Sequence, residues 1–150
     1  MTQKEKIGLN FRFARMKANI TIEDFAKAMD DWSPIISNFE RKGQAPSFKK
    51  FIKWCDALDV SLDKIVYGND YEKLLRIQNI CNCYRTHKFF RLSFGRKLKQ
   101  TREEKGLSLH DAATLCNLAT QKIVSAENGE RLSEKVLFNL SQGYEVDFDV

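Results

Sequence analysis

Apolar positions recur at intervals of three and four along most of the chain. Ile7 is followed by Phe11, Phe25 by Met29, Ile36 by Phe39, and Phe51 by Trp54 and Leu58. That spacing puts an apolar stripe on each of a series of short helices, and no stretch makes a convincing strand. Helix starts are marked. Thr21 with Asp24, Ser61 before an acidic first turn, and Ser108 with Asp111 have the form of N-caps with an acid in the first turn. Ser33 before Pro34 reads as a cap followed by proline at the first helical position, and Pro46-Ser47 marks a loop and a further cap. The first half therefore predicts five helices, at about 3–18, 21–28, 33–40, 47–58 and 61–67, and the fold class is all-α.

The pattern is written twice. "TIEDFAKAMDDWSPIISNFERKG" from Thr21 is matched by "SLHDAATLCNLATQKIVSAENGE" from Ser108. At one constant offset Gly8 falls on Gly95, Arg15 on Arg102, Thr21 on Ser108, Ala26 on Ala113, Ile36 on Ile123 and Glu40 on Glu127. After one deletion the match resumes, with Phe51 on Leu137, Val60 on Val146, Leu62 on Phe148 and Asp63 on Asp149, and it stops where a fifth helix would begin. Two copies at a fixed offset point to two structural repeats. Between them "DYEKLLRIQNICNCY" reads as a helix with a broad apolar surface. The expected organisation is a five-helix domain at 1–68, a helical linker at 69–90 and a diverged, truncated copy at 91–150.

Short helices joined by tight turns, with the third short and polar on one side, fit a helix-turn-helix. The turn before the third helix often needs a positive φ. Asp30 and Asn117 occupy it, and both tolerate that region better than most residues. Arg15 with Glu40, and Arg102 with Glu127, recur together and read as structural ion pairs between the first and third helices. With these residues in place, segment 7–67 resembles the Cro/CI-type helix-turn-helix domain of phage repressors and xenobiotic-response-element regulators. Gly8, Arg15, Thr21, Ala26, Ile36, Ser37, Glu40, Pro46, Ser47, Leu58, Val60, Ser61, Leu62 and Asp63 carry the likeness, and the second copy keeps Gly95, Arg102, Gly106, Leu107, Ser108, Ala113, Ile123, Glu127, Asn128 and Gly129.

The resemblance implies two tandem lambda-repressor-like domains that bind double-stranded DNA, with the third helix in the major groove. Carried over by position, Ser33, Pro34, Ser37 and Asn38 face bases in the first copy, and Thr120, Gln121, Val124 and Ser125 in the second, with Lys122 close by. Thr21 and Ile22 lie over phosphate, as does Ser108. Arg41, Lys42, Lys49 and Lys50, with Lys53 nearby, add backbone contacts.

The two copies differ. In the first, Trp32, Pro34 and Ile35 are apolar where the family usually has polar residues. They read as a DNA contact through thymine methyls, as a protein-binding patch, or as local packing of Trp32 into the core. The second has polar reading positions but a thin core: Ala112 replaces Phe25, Cys116 replaces Met29 and Ala126 replaces Phe39. Support from the linker helix, the first half or a second chain is expected.

Composition narrows the function further. Of 150 residues, 43 % are hydrophobic and 30 % charged, which fits a globular chain. The net charge of +5 suits an anionic partner, and no acid occurs between Lys73 and Arg102, where Arg76, Arg85, Lys88, Arg91, Arg96, Lys97 and Lys99 also lie. No signal peptide or membrane span is legible, so a cytoplasmic location with Cys55, Cys81, Cys83 and Cys116 reduced is expected. Cys81, Cys83 and His87 lack a second ligand pair, so no metal and no cofactor is expected. His110 reads as an exposed polar residue, and no catalytic constellation stands out. The expectation is a sequence-specific transcriptional regulator, a repressor of bacterial, phage or mobile-element origin acting as a homodimer. The alternative is a protein-interaction module, an inhibitor or antitoxin, that reuses the fold at Trp32, Pro34 and Ile35.

Overall fold

The computed structural model describes residues 1–148, so Asp149, at the end of the internal match, lies outside the described residues. Those residues form ten α-helices and no strand, and they divide into two compact units that meet between Leu74 and Leu75.

The first unit holds α1 (Gln3–Lys17), α2 (Ile22–Met29), α3 (Ser33–Lys42), α4 (Phe48–Ala57) and α5 (Leu62–Tyr67). The side chains of Thr21, Ser47 and Ser61 cap α2, α4 and α5 by accepting the backbone N–H three residues on. Asp30 closes α2 in the left-handed region at φ 52°, as the turn demands. Ser33 departs from expectation: it is the first helical residue of α3, and Trp32 is the N-cap. The Ile35 N–H bonds to Trp32 O, so the first turn begins one residue earlier and no side chain caps it.

Aromatic rings dominate this core. Phe11 meets Phe25 and Trp54 at 5.6 Å, and Phe39 meets Phe51 at 5.4 Å. Rings at these separations add attraction beyond their buried area. Gly8 lets α1 touch α3, since a Cβ there would strike the carbonyl oxygen of Phe39. Asn10, buried, fastens the end of the unit: its Nδ2 donates to Ile65 O and Gly68 O, and its Oδ1 accepts from Tyr71 N.

The helix α6 (Asp70–Thr86) begins in the first unit and ends in the second, which also holds α7 (Lys88–Glu104), α8 (Leu109–Leu115), α9 (Thr120–Glu127) and α10 (Glu134–Tyr144). Asn117 follows α8 at φ 53°, matching Asp30. Gly95 meets the carbonyl oxygens of Glu127 and Ala126 as Gly8 meets that of Phe39.

The thin core expected here is a correction: the unit is filled, by different means. Ala112, Cys116 and Ala126 are all buried, and α10 comes in close against α8. A Cβ on Gly143 would meet Cys116 Sγ at 2.5 Å. Tyr144 then fills space with a ring where its counterpart Leu58 has a smaller aliphatic side chain, and Val136 and Phe138 are buried where Lys50 and Ile52 are exposed in the first unit. Support also comes from α6. Tyr84, fully buried, packs on Phe90 and Phe94 of α7 at 5.6 and 5.3 Å, and its carbonyl accepts from Arg91 Nη1. Phe94 and Phe90 stand where α1 has Ile7 and Gln3, and Gln3 is bonded to α5 through Val66 O. The end of α6 thus covers on α7 the face that α5 covers on α1.

Burial raises the thiol pKa of Cys55, Cys81 and Cys116 to about 11 each, which keeps them protonated and inert at neutral pH. No group of three or more His, Cys, Asp or Glu is placed to hold a metal among the described residues, and no helix there is long and apolar enough to cross a membrane.

Candidate nucleic-acid interface

In each unit the third helix turns one side inward and one outward. Ile36, Phe39 and Glu40 of α3 are buried, as are Ile123 and Ala126 of α9. Helical spacing then places Pro34, Ser37, Asn38 and Arg41 along the outer side of α3, and Gln121, Val124 and Ser125 along that of α9. Pro34 and Arg41 are exposed; Ser33, Ser37 and Asn38 are half-buried. Thr120, Gln121 and Lys122 are exposed, and Val124 and Ser125 half-buried.

Both helices lack a side-chain cap at their first turn. Pro34 has no N–H and the N–H groups of Ile35 and Lys122 go to the carbonyls of Trp32 and Ala119, so what each helix head offers phosphate or a base-edge acceptor is chiefly the positive end of its dipole. The preceding helices do have caps. Thr21 Oγ1 accepts from Asp24 N at 3.1 Å and Ser108 Oγ from Asp111 N at 3.0 Å, and both residues are exposed. Each hydroxyl keeps its own proton for an outside acceptor.

The third helix is held rigidly to the first. Arg15 Nε and Nη2 donate to the two carboxylate oxygens of Glu40 at 2.6 and 2.9 Å, and Nη1 donates to Ile20 O. The pair is buried, with side-chain exposures of 8 % and 2 %. Arg102 repeats this with Glu127 at 2.5 and 3.3 Å, and with Leu107 O. The Glu127 hydrogen bond raises the Arg102 pKa, keeping the guanidinium charged. Fork-to-fork geometry fixes the tilt of the outward face as well as its distance from the core.

Two details of this surface escaped the sequence. Ile22 is half-buried and packs against the core, which explains an apolar residue at that place. Lys50 Nζ binds Asp31 Oδ1 at 2.8 Å, tying the start of α4 to the turn before α3 and neutralising a cation counted toward phosphate. Nothing in the local pattern joins two residues so far apart in the chain.

Trp32 does not fold into the core. It is 76 % exposed, beside exposed Pro34 and Ile35. Arg41, Lys42 and Lys49 are also exposed, and Arg41 Nη2 donates to Ser37 Oγ at 2.7 Å. The second unit has no counterpart to the acidic pair Asp30–Asp31, since Asn117 and Leu118 stand there.

A sequence profile of the helix-turn-helix family matches the chain twice, at residues 11–65 and 98–150. No curated protein and no solved structure matches it.

Proposed function

The chain belongs, at both repeats, to the Cro/CI-type helix-turn-helix family and is a DNA-binding regulator of that type; from this premise we propose that it is a sequence-specific repressor. The observation that carries the reading is the pair of outward-facing, uncapped third helices, each clamped to its unit by an Arg–Glu fork. On this reading α3 and α9 enter the major groove of double-stranded DNA. Ser33, Pro34, Ser37 and Asn38 face bases from one unit, and Thr120, Gln121, Lys122 and Ser125 from the other. Thr21, Ser108, Arg41, Lys42 and Lys49 contact phosphate. The chain works as a homodimer in the cytoplasm of a bacterium, as a product of its own genome, a phage or a mobile element.

Gln121 is the sharpest test. Its amide has the paired donor and acceptor that adenine presents in reverse, and it stands exposed in the first turn of α9. Gln121→Ala weakens binding to a selected site by about 1–3 kcal/mol and relaxes preference at one base pair. Unchanged affinity and preference in a binding titration across single-base variants of the site removes Gln121 from the interface.

Asp31 gives the opposite sign. Asp31→Asn removes a negative charge beside α3 and releases Lys50. The variant binds DNA roughly three- to tenfold more tightly at low salt, an advantage that fades as salt screens it. It also loses some stability, because the Asp31 side chain is only 6 % exposed although Lys50 is half-exposed. Equal affinity of the two proteins at low salt places this turn away from the DNA.

The exposed Trp32 favours a second reading, an inhibitor or antitoxin that docks on protein through Trp32, Pro34 and Ile35. Under that reading Trp32→Ala abolishes partner capture and Gln121→Ala changes nothing.

A further inference from the structure

The head of α3 offers chemistry that the head of α9 does not. Trp32, Pro34 and Ile35 are exposed in sequence, while Ala119, Gln121 and Lys122 stand at the matching places. Apart from the single indole N–H of Trp32, the three side chains have nothing to hydrogen-bond to a base edge. Of the polar groups nearby, Ser37 Oγ accepts from Arg41 and Asp31 binds Lys50, which leaves Ser33 and Asn38 of this helix to hydrogen-bond beside the apolar head.

The major groove has one apolar feature, the C5 methyl of thymine. An apolar reader there distinguishes thymine from cytosine, which lacks the methyl. Lys50, bound to Asp31, and exposed Lys49 open α4 near the turn that carries Asp30, Asp31 and Trp32, and exposed Arg41 and Lys42 close α3 more than two turns further along. An apolar head on a helix that ends in exposed cations suits a base edge flanked by phosphate, the apolar groups meeting the base and the cations the backbone.

We propose that Trp32, Pro34 and Ile35 form a thymine-methyl reader, so that the first unit selects thymine by its methyl group while the second selects by hydrogen bonds. This rests on the DNA-binding function proposed above. It makes the two repeats complementary in chemistry: the apolar substitutions that set the first apart are its specificity.

Deoxyuridine tests it, because uracil keeps every hydrogen-bonding group of thymine and lacks only the methyl. A duplex enriched from a random library by the full chain is resynthesised with deoxyuridine replacing each thymine in turn. At one or two thymines the replacement weakens binding about fourfold, the worth of one buried carbon. Ile35→Ala binds the thymine and uracil forms of at least one of those positions equally, while Gln121→Ala retains the discrimination. If no deoxyuridine replacement changes affinity, or if folded Trp32→Ala and Ile35→Ala proteins keep the full discrimination, the methyl reader is overturned and sequence-specific binding stands. If the folded chain enriches no duplex at all, the DNA-binding function falls and the methyl reader with it, and the patch passes to a protein partner.

Discussion

Glu40→Ala lowers the stability of the first unit by about 3–5 kcal/mol, since it leaves the Arg15 guanidinium buried without its counter-ion. A domain of this size has only about 5–10 kcal/mol to lose, so its melting midpoint falls by roughly 15–30 °C. The second unit sets the scale for comparison. Arg102 and Glu127 are slightly more exposed and their second bond is longer, so Glu127→Ala has a smaller effect. Replacing both partners of the first pair by apolar residues, Arg15→Met with Glu40→Leu, recovers most of the loss, because the penalty lies in the unpaired charge. Calorimetry on the three proteins checks the order. A Glu40→Ala protein that melts with the parent shows that Arg15 finds water or another partner, and the clamp is then ornamental to the third helix.

Binding to DNA collapses with salt. Arg41, Lys42, Lys49 and nearby Lys53 are exposed cations proposed to lie along the phosphate backbone. Four phosphate contacts per chain become about eight in a homodimer, and releasing that many counter-ions costs about 10³–10⁵ in affinity between 50 and 200 mM salt. A monomer with four contacts loses only about 10² over the same range. The slope of affinity against salt therefore reads contact number and assembly together. Affinity that holds steady across this range contradicts phosphate-driven binding of any stoichiometry. Lys50 adds to the slope only when Asp31 is removed, which links this measurement to the Asp31→Asn variant.

The helices and their caps were legible because each rests on local chemistry. Thr21, Ser61 and Ser108 cap through the N–H three residues on, and Asp30 and Asn117 take the positive φ that the turn requires. The repeat was legible because internal comparison supplies a second witness for every position. What escaped depends on contacts between helices. The first core is built from Phe25, Met29 and Phe39, so Ala112, Cys116 and Ala126 read as lost volume. Nothing in the period of α10 announces that Gly143 lets it close on Cys116, or that Tyr144 takes up the space. The same holds at the interface. Which residues line the outer side of α3 follows from helical spacing, whereas the Asp31–Lys50 pair and the inward turn of Ile22 follow from how α4 and α2 meet the rest. Ser33 was read as a cap because serine before proline is a strong local signal. The chain instead starts the helix at Ser33 and leaves its first turn open.

An open first turn is a cost to a helix unless something outside uses it. That both third helices are left so, and that both are clamped from behind, gives the two units one design with different reading chemistry. The outer surface of α9 carries polar Thr120, Gln121 and Lys122 with no acidic turn before it, whereas the head of α3 carries apolar Trp32, Pro34 and Ile35.

The central claim is that this chain reads sequence in double-stranded DNA with both units. Selection of the folded full chain on a random duplex library, sequenced after several rounds, tests it most directly. The account predicts one enriched site containing two dissimilar motifs, one of which loses information in Gln121→Ala and the other in Ile35→Ala. Folded protein that enriches no motif contradicts it.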